Sequence, residues 1–479
     1  MENPDRDPPR FSSRLKRDLG LVESYAALVG ILVGAGIFRV TSDAYAATGP
    51  SVILGYLVLA PAVFATSIPY AVYASTSLGS SPGGEYAHLA ATFHRSWIAF
   101  LGAWLKCVAY LGACAYLALA LADYALEMLE VLLGRGVELG GHAPVLATGA
   151  LVFFFAVHAA GVRWFGRVQV WMCAVLGISI AILVVPGLFE VRAASYRPFF
   201  TGGARGFAGS LPMLFFAYAG FESLAQAAGE VRASRETLPR VYLRGIAVTT
   251  VLFLLISIVA FGVLPGPALA TSEAPMAAVA AVYLPLGATA LVALGGTLAA
   301  ATSLNPSLHV PARLWILLAE DGHLPRWIGR VDPRTGTPTA GLAVALAVAC
   351  ALLWSGQMRL ALNVAVFALV LLYFAHGVGL LLLPRTNPAL FAEVRARVPR
   401  GLQVLASVAS LASMGALIAI QVVQDARRIL ASDARERWRG LDLTCVELLA
   451  LWSLVGLALY AAVHRGRPAG RGRPGYEGA

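Results

Sequence analysis

The chain has 479 residues, of which 58% are hydrophobic and only 13% are charged, and its mean hydropathy is +0.73. These values lie far outside the range of soluble domains, so composition alone excludes the soluble classes of protein. The formal net charge of +10 would suggest nucleic acid as the partner of a soluble chain. Here the basic residues cluster at the ends of apolar segments, where they meet anionic lipid, so no nucleic-acid partner is predicted.

Long apolar runs follow one another along most of the chain. A run of roughly 18 or more apolar residues can cross the roughly 30 Å hydrocarbon layer as a helix, and about twelve runs meet this condition. They cover residues 22–48, 51–78, 96–128, 143–161, 167–189, 207–231, 241–264, 285–312, 338–355, 360–384, 402–424 and 445–463. The predicted fold class is therefore an all-α polytopic membrane protein with about 12 transmembrane helices.

The polar ends of the chain predict its orientation. Residues 1–20 carry five basic residues and lack the short apolar core and small-residue cleavage site of a signal peptide. With an even number of spans, roughly 24 of the Lys and Arg residues lie on the side of the termini and roughly 10 on the other side. The positive-inside rule thus predicts a multi-pass protein of the cytoplasmic membrane, with the tails 1–20 and 465–479 in the cytoplasm. The loop at 425–444 is an exception, since it is predicted outside and carries five arginines.

The first apolar run is interrupted by glycines in the stretch Gly34-Ala35-Gly36-Ile37-Phe38. A break in a membrane helix exposes amides and carbonyls that hydrocarbon cannot satisfy, so something polar is expected there. The half-helix that starts near Ile37 would present free N–H groups and the positive end of its dipole, which suits a carboxylate. Alternatively, the small residues only let another helix pack closely. The residues leave both interpretations open.

The sixth apolar run is interrupted in the same way, in the stretch Phe216-Ala217-Tyr218-Ala219-Gly220-Phe221-Glu222-Ser223. Carbonyls freed near Ala219 would form the negative end of the preceding half-helix, which suits an ammonium group. Two glycine-broken segments at corresponding places in two halves indicate a transporter with inverted repeats and a substrate site at the bilayer midplane. One break for a carboxylate and one for an ammonium describes an α-amino acid.

Two ionisable residues lie inside apolar runs and are candidates for coupling. A charge at the bilayer centre costs at least about 2.5 kcal/mol on insertion scales, so Glu222 is expected to have a function. It could carry a proton, because desolvation favours the neutral acid. It could also anchor the loose backbone of the opposite broken helix. The alternative without a function in transport is a protonated carboxyl group that bonds to neighbouring carbonyls. Lys106 in the third run is either a second coupling residue or a cation that snorkels or occupies a polar cavity.

Other polar residues give weaker indications. Thr302 and Ser303 could supply hydroxyls to a sodium site, although hydroxyls in membrane helices also bond to their own backbone. No cofactor and no metal centre is predicted, and the coupling ion is expected to be a proton, with sodium as the alternative. The candidate pocket aromatics, with packing as the alternative, are Tyr110, Tyr116 and Tyr373. The residues assigned to packing or polar networks are His158, His309, His376 and the five cysteines.

Several short motifs together resemble the amino acid, polyamine and organocation (APC) transporter superfamily. The resemblance runs over about residues 18–400. The motifs are Gly34–Phe38, Pro82–Tyr86, Gly161–Arg163 with Arg167–Gln169, Gly220–Ser223 with Gly229–Val231 and Thr237–Arg240, Ser303–Asn305, Ala319–Gly322 with Leu324–Pro325, and Thr337–Pro338. The resemblance implies a LeuT-type fold with 5+5 inverted repeats, helices 1–5 in residues 21–190 and helices 6–10 in residues 206–384, plus two peripheral helices in residues 401–464.

The resemblance also implies roles for individual residues. Ala35, Gly36 and Ile37 would hold the substrate carboxylate, and Ala217, Tyr218 and Gly220 would flank the amine. Phe216 occupies the position of the aromatic that closes over substrate, and Glu222 matches an acid linked to proton-coupled or pH-dependent behaviour in some relatives. The substrate-binding set predicted in this way is Gly34, Ala35, Gly36, Ile37, Phe216, Ala217, Tyr218, Ala219 and Gly220.

The chain departs from the superfamily pattern in two places. Some members carry a lysine in the fifth helix where others bind sodium, and the stretch 171–176 here contains none. The eighth span reads Val310-Pro311-Ala312-Arg313 where relatives often show a Ser-Arg pair.

The sequence therefore predicts a secondary active transporter of amino acids that works by alternating access and takes up neutral amino acids with protons. An amino acid/polyamine exchanger is the main alternative. A membrane enzyme is disfavoured because the sequence shows no GxSxG elbow and no recurring His/Asp cluster, and a non-transporting sensor is disfavoured because tails and loops are short. The expected partners are a small-molecule substrate and lipid, and the sequence leaves a homodimer open.

Overall fold

The computed structural model describes residues 11–37, 41–133, 140–264, 266–271, 275–431 and 443–465. The structure is 83% helical. Because backbone polar groups must bond internally in hydrocarbon, a chain this apolar is expected to fold almost entirely as helices. The predicted all-α class is confirmed.

In the described part of the first half of the chain there are seven α-helices. They are α1 (Leu21–Ala35), α2 (Thr41–Thr48), α3 (Val52–Ala74), α4 (Gly84–Phe93), α5 (Ser96–Leu133), α6 (Ala143–Ala159) and α7 (Val162–Gly187). The second half forms α8 (Gly203–Ala217), α9 (Ser234–Val263), α10 (Gly266–Thr271), α11 (Pro275–Ala280), α12 (Leu286–Glu320), α13 (Thr339–Trp354) and α14 (Met358–Thr386). The short α15 (Pro388–Ala392) precedes the last two helices, α16 (Arg400–Ala431) and α17 (Cys445–Arg465).

Eight helices of the described residues are long and apolar enough to cross a membrane. They are α3 together with the turn before it and the end of α2 from Ala44, and α5, α7, α9, α12, α14, α16 and α17. The remaining predicted runs coincide with shorter apolar helices, α1, α6 and α13, and with α8. An integral membrane protein is therefore supported, and the number of crossings stays a prediction.

The two halves run through the same order of elements. Each begins with an interrupted helix, continues with two long helices, and then has a short and a long helix. The short members match closely, since α6 has 17 residues and α13 has 16. This order is what an inverted repeat produces, and the LeuT-type relation and the boundaries 21–190 and 206–384 stay predictions.

The core of the molecule lies around α12. Every residue from Ala299 to Ala319 is buried, because α1, α5, α7 and α13 pack around this helix. By contrast, α16 and α17 lie at the periphery and keep most of their apolar side chains exposed, as lipid-facing helices do. On α17, Trp452 stacks on Trp104 of α5 at 4.5 Å, and each indole N–H donates to the other residue's backbone carbonyl.

Candidate functional site

The first interrupted helix breaks at Gly34. This residue has non-helical φ/ψ of −14° and −153°, α1 ends at Ala35, and α2 begins only at Thr41. A β-carbon on Gly34 would lie 1.6 Å from the Ser303 hydroxyl oxygen, and one on Gly36 would lie 2.8 Å from Cα of Ala217. Both glycines are therefore needed for close helix packing, and Gly34 also marks the break, whereas carboxylate binding at this stretch stays a prediction. Residues 38–40 and the side chain of Ala35 lie outside the described residues.

The second interrupted helix breaks at Gly220. Here α8 ends at Ala217, Gly220 has φ of +109°, and a 3-10 helix follows from Phe221 to Ala225. Glycine is the residue that adopts this left-handed backbone without a steric penalty. A β-carbon on Gly220 would also approach Ile31 of α1 to 3.0 Å, so the second break packs against the first interrupted helix.

A cavity of about 50 Å³ lies where the two breaks meet. Five of the predicted substrate residues line it, namely Gly36, Phe216, Ala217, Ala219 and Gly220. Gly34, Ile37 and Tyr218 do not line it. The Tyr218 hydroxyl donates instead to Thr250 of α9 at 3.2 Å, and its ring packs against Phe253.

Sequence reasoning missed most of the walls that other helices contribute. The unpredicted lining residues are Ile31, Leu32, Ala109, Ala113, Leu117, Ser307 and Leu369. Three of these recur every fourth residue on α5, and Ser307 follows Ser303 by four, so each set forms one helical stripe. A search for small residues at this spacing beside Tyr110 would have found them. Among the described residues, the lining is apolar except for the hydroxyls of Tyr110, Ser303 and Ser307, and the phenol is its one ionisable group.

A second cavity of about 500 Å³ lies on the other side of Phe216, between α8, α14 and α16. Phe216 lines both cavities and packs edge-on against Tyr116, which also lines the larger one. Its ring is therefore the partition between a small apolar pocket and a wide chamber with polar groups such as Asn363 and Gln424.

Glu222 does not face the central cavity but is fully buried beside it. One carboxylate oxygen accepts from the Tyr110 hydroxyl at 2.6 Å and lies 3.4 Å from Nζ of Lys106. The other accepts from the Tyr373 hydroxyl and, at 3.1 Å, from the backbone N–H of Gly220. The carboxylate thus holds the backbone of its own broken segment, rather than that of the opposite helix.

Lys106 joins Glu222 to a second buried acid, Glu85 at the start of α4. Its ammonium lies 2.5 Å from Oε1 of Glu85, and all three side chains are fully buried. Glu85 also accepts from the Tyr70 hydroxyl at 3.0 Å and from the Gln226 amide. We call Glu85, Lys106 and Glu222 the charged cluster. The predicted coupling residues Glu222 and Lys106 are brought together in it, and Glu85 was missed although an acid beside two glycines and an apolar run was a visible signal.

The candidate sodium-site residues are already bonded to backbone. The Thr302 hydroxyl donates to the Gly30 carbonyl at 3.0 Å, and the Ser303 hydroxyl donates to the Ile31 carbonyl at 3.0 Å. Between α1 and α12, the amide of Gln169 donates to the carbonyls of Ala26 at 3.1 Å and Thr302 at 2.9 Å. A neutral amide therefore fills the junction between these helices.

Where α1 begins, contacts join the start of the chain, the segment after the second break and α12. Leu19 pairs with the segment after the second break, since its N–H donates to the Glu230 carbonyl at 3.0 Å and its carbonyl accepts from Arg232 N–H at 2.8 Å. Arg313 of α12 donates to both carboxylate oxygens of Glu230, at 2.8 and 3.4 Å, and both side chains are fully buried. His309 lies 2.8 Å from the same carboxylate. We call these contacts the N-terminal gate.

Comparison with known proteins identifies a family and several relatives. A model of the amino acid permease family matches residues 19–433. An uncharacterized transporter of Mycobacterium tuberculosis is 28% identical over 77% of this chain and 80% of its own length. The cationic amino acid transporter 9 of Arabidopsis thaliana is 27% identical over 67% of this chain and 58% of its own. The branched-chain amino acid permease BcaP of Bacillus subtilis is 25% identical over 68% of this chain and 71% of its own.

Proposed function

Because this chain belongs to the amino acid permease family, we propose that it is a secondary transporter that takes up a neutral amino acid together with a proton across the cytoplasmic membrane. The observation that carries the proposal is the cavity shared by the two breaks. The breaks contact each other through Gly36 and Ala217, so one small ligand would touch both interrupted helices at once. Alternating access then consists of opening this cavity to one side while the other stays closed.

The lining of the cavity supports a neutral, apolar substrate. Besides the Tyr110 phenol, its polar groups are two serine hydroxyls, which can hydrogen-bond a substrate but cannot pair with a cationic side chain. Burying an unpaired charge there would be costly. Of the relatives, the branched-chain permease fits such a lining better than the cationic amino acid transporter.

The charged cluster supports a proton as the coupling ion. A buried site with two carboxyl groups and one ammonium changes its net charge by one when a single proton binds. Glu222 of this cluster bonds directly to Gly220 in the second break, so the charge state and the substrate site are mechanically connected. Sodium is less favoured, because the carbonyls and hydroxyls between α1 and α12 are occupied by one another and by Gln169.

The test is uptake of radiolabelled amino acids into proteoliposomes of the purified protein, in sodium or choline buffer, with and without an inward proton gradient and with internal substrate. We expect accumulation of an apolar neutral amino acid that follows the proton gradient and is the same in both buffers. Uptake only against internal substrate would make the protein an exchanger. Binding without uptake of any compound would contradict transport.

A further inference from the structure

We propose that Glu85, and not Glu222, is the carboxyl group that binds and releases the coupled proton. Its consequence for transport rests on the proposed function, whereas its structural argument is independent of that function. It starts from charge: two carboxylates and one ammonium, all fully buried, carry a net charge of −1 when all are ionised. A buried cluster is stable when its charges are compensated, so one proton on one of the carboxyl groups completes it.

The hydrogen bonds show which carboxyl group has room for that proton. Both oxygens of Glu222 are occupied by donors, from Tyr110 and Lys106 on one oxygen and from Tyr373 and Gly220 on the other. A proton on Glu222 would displace one of these donors, and a displaced donor needs another acceptor in a protein interior. The alternative acceptor of the Tyr110 hydroxyl, the Gly220 carbonyl, lies 3.5 Å away, at the limit of a hydrogen bond.

Glu85 has the opposite surroundings. Its Oε1 accepts from Tyr70 and Lys106, whereas its Oε2 contacts only the amide of Gln226. The Oε1 of this Gln226 is buried and has no hydrogen-bond partner. The oxygen and nitrogen of an amide are assigned from their bonding, so the two can be exchanged by turning the group over. A proton on Oε2 of Glu85 would then donate to the Gln226 oxygen, while the amide NH2 group would move to the position where that oxygen now has no partner.

The local sequence brings Glu85 to this position. Gly83 and Gly84 have φ of +93° and +32°, and the turn they form directs α4 toward the segment after the second break. A β-carbon on Gly84 would come within 2.5 Å of Nε2 of Gln226 and 2.8 Å of Cβ of Ala225, and φ of +32° also favours glycine at this position. The motif Pro82-Gly83-Gly84-Glu85 is therefore explained by this contact.

The other groups around Glu85 do not compete for the proton. The titratable side chains that face it are Tyr70 of α3, Lys106 and Tyr110 of α5, Glu222, Tyr242 of α9, and Tyr373 and His376 of α14. Lys106 lies between the two acids, 2.5 Å from Glu85 and 3.4 Å from Glu222. Nδ1 of His376 donates to the Leu372 carbonyl at 2.9 Å, and its Nε2 lies 3.2 Å from Nδ1 of His88, so the pair of rings shares one hydrogen bond.

The proton on Glu85 thereby controls the segment that ends at the N-terminal gate. Gln226 lies between Glu222 at the second break and Glu230 at the gate, on one continuous stretch of chain. Loss of the proton would leave the cluster with uncompensated negative charge and two carboxylates competing for Lys106. The contact between α4 and this segment would weaken, which is the event that opens the gate.

The test compares Glu85→Gln with Glu222→Gln by infrared spectroscopy of the protein in membranes. For each variant, the spectrum in alkaline buffer is subtracted from the spectrum in acidic buffer. We expect a protonated-carboxyl C=O band that is lost in Glu85→Gln and kept in Glu222→Gln. Glu230→Gln, the same change at a buried acid outside the cluster, should keep the band. Gln226→Leu leaves both acids in place and should move the band to higher frequency, because the proton loses its acceptor.

A parallel measurement is substrate binding against pH. We expect Kd of the wild type to rise about tenfold per pH unit once the proton is lost, and Kd of Glu85→Gln to stay flat. A band that disappears in Glu222→Gln instead, that persists in both variants, or that does not move in Gln226→Leu would overturn the proposal, as would an unchanged pH slope in Glu85→Gln. If the wild type binds no amino acid, the proposed function fails, and the infrared result still decides which acid holds the proton.

Discussion

Removing Arg313 should open the N-terminal gate. Its guanidinium is fully buried and bonds both oxygens of Glu230, so Arg313→Met leaves a buried carboxylate whose nearest remaining partner is His309. Breaking a buried pair by deleting one partner costs about 3–5 kcal/mol. If the gate opens, the carboxylate reaches water, so this cost falls on the closed state alone. The population of the open state should increase by about 10²- to 10⁴-fold, at tenfold per 1.4 kcal/mol.

The assay is the rate at which a water-soluble maleimide labels Leu19→Cys in nanodiscs, where both sides are accessible. Leu19 is fully buried in the closed gate, so labelling reports opening. The parent without this substitution measures the background from the five native cysteines. Arg232→Met is the matched control, because its ion pair with Asp18 is exposed and such pairs contribute about 0–1 kcal/mol.

Adding Glu230→Gln to Arg313→Met should slow the labelling again, because no unpaired charge remains in the closed state. Equal labelling of the Arg313→Met and Arg232→Met proteins would refute the reasoning, since the buried pair would then not hold the gate.

Two further predictions concern other parts of the molecule. Phe216→Ala should merge the pocket with the larger chamber beside it. Bulky amino acids should then compete more strongly against labelled substrate for uptake. Unchanged selectivity would mean that Phe216 is not the partition between the two cavities. Trp452→Ala should remove the stacked pair with Trp104 and lower the free energy of unfolding, by less than the about 3–5 kcal/mol that truncating a fully buried Trp costs, because Trp452 is half-buried. Uptake per folded molecule should be kept, and a loss of uptake at full stability would show that α17 takes part in transport.

The parts predicted well from sequence are those that depend on local composition. Apolar runs locate the helices because hydrocarbon permits little else. Glycines locate the breaks because Gly220 has a left-handed φ and a β-carbon on Gly34 would overlap Ser303. The family was recognised from the same stretches. The substrate and coupling roles stay predictions, since they depend on events that a single conformation does not contain.

The parts missed depend on contacts between distant segments. Glu85 is in a loop motif, and only the fold shows that Lys106, on the next long helix, reaches it. Gln169 belongs to the motif Arg167–Gln169, but its hydrogen bonds to the carbonyls of Ala26 and Thr302 span more than 130 positions of sequence. Long-range hydrogen bonds leave no periodic signal, so such partners cannot be derived from spacing.

The contact between Gly36 and Ala217 limits how the two halves of this chain can change. A methyl group added at Gly36 would overlap the backbone at the end of α8, so no rotamer change can relieve it. At this contact, the surface of each half is therefore complementary in shape to the surface of the other half. A chimera that took α1 from one relative and α8 from another would inherit a mismatch unless both surfaces came from the same parent, and directed evolution of substrate choice should find its tolerated changes on α5 rather than at the breaks.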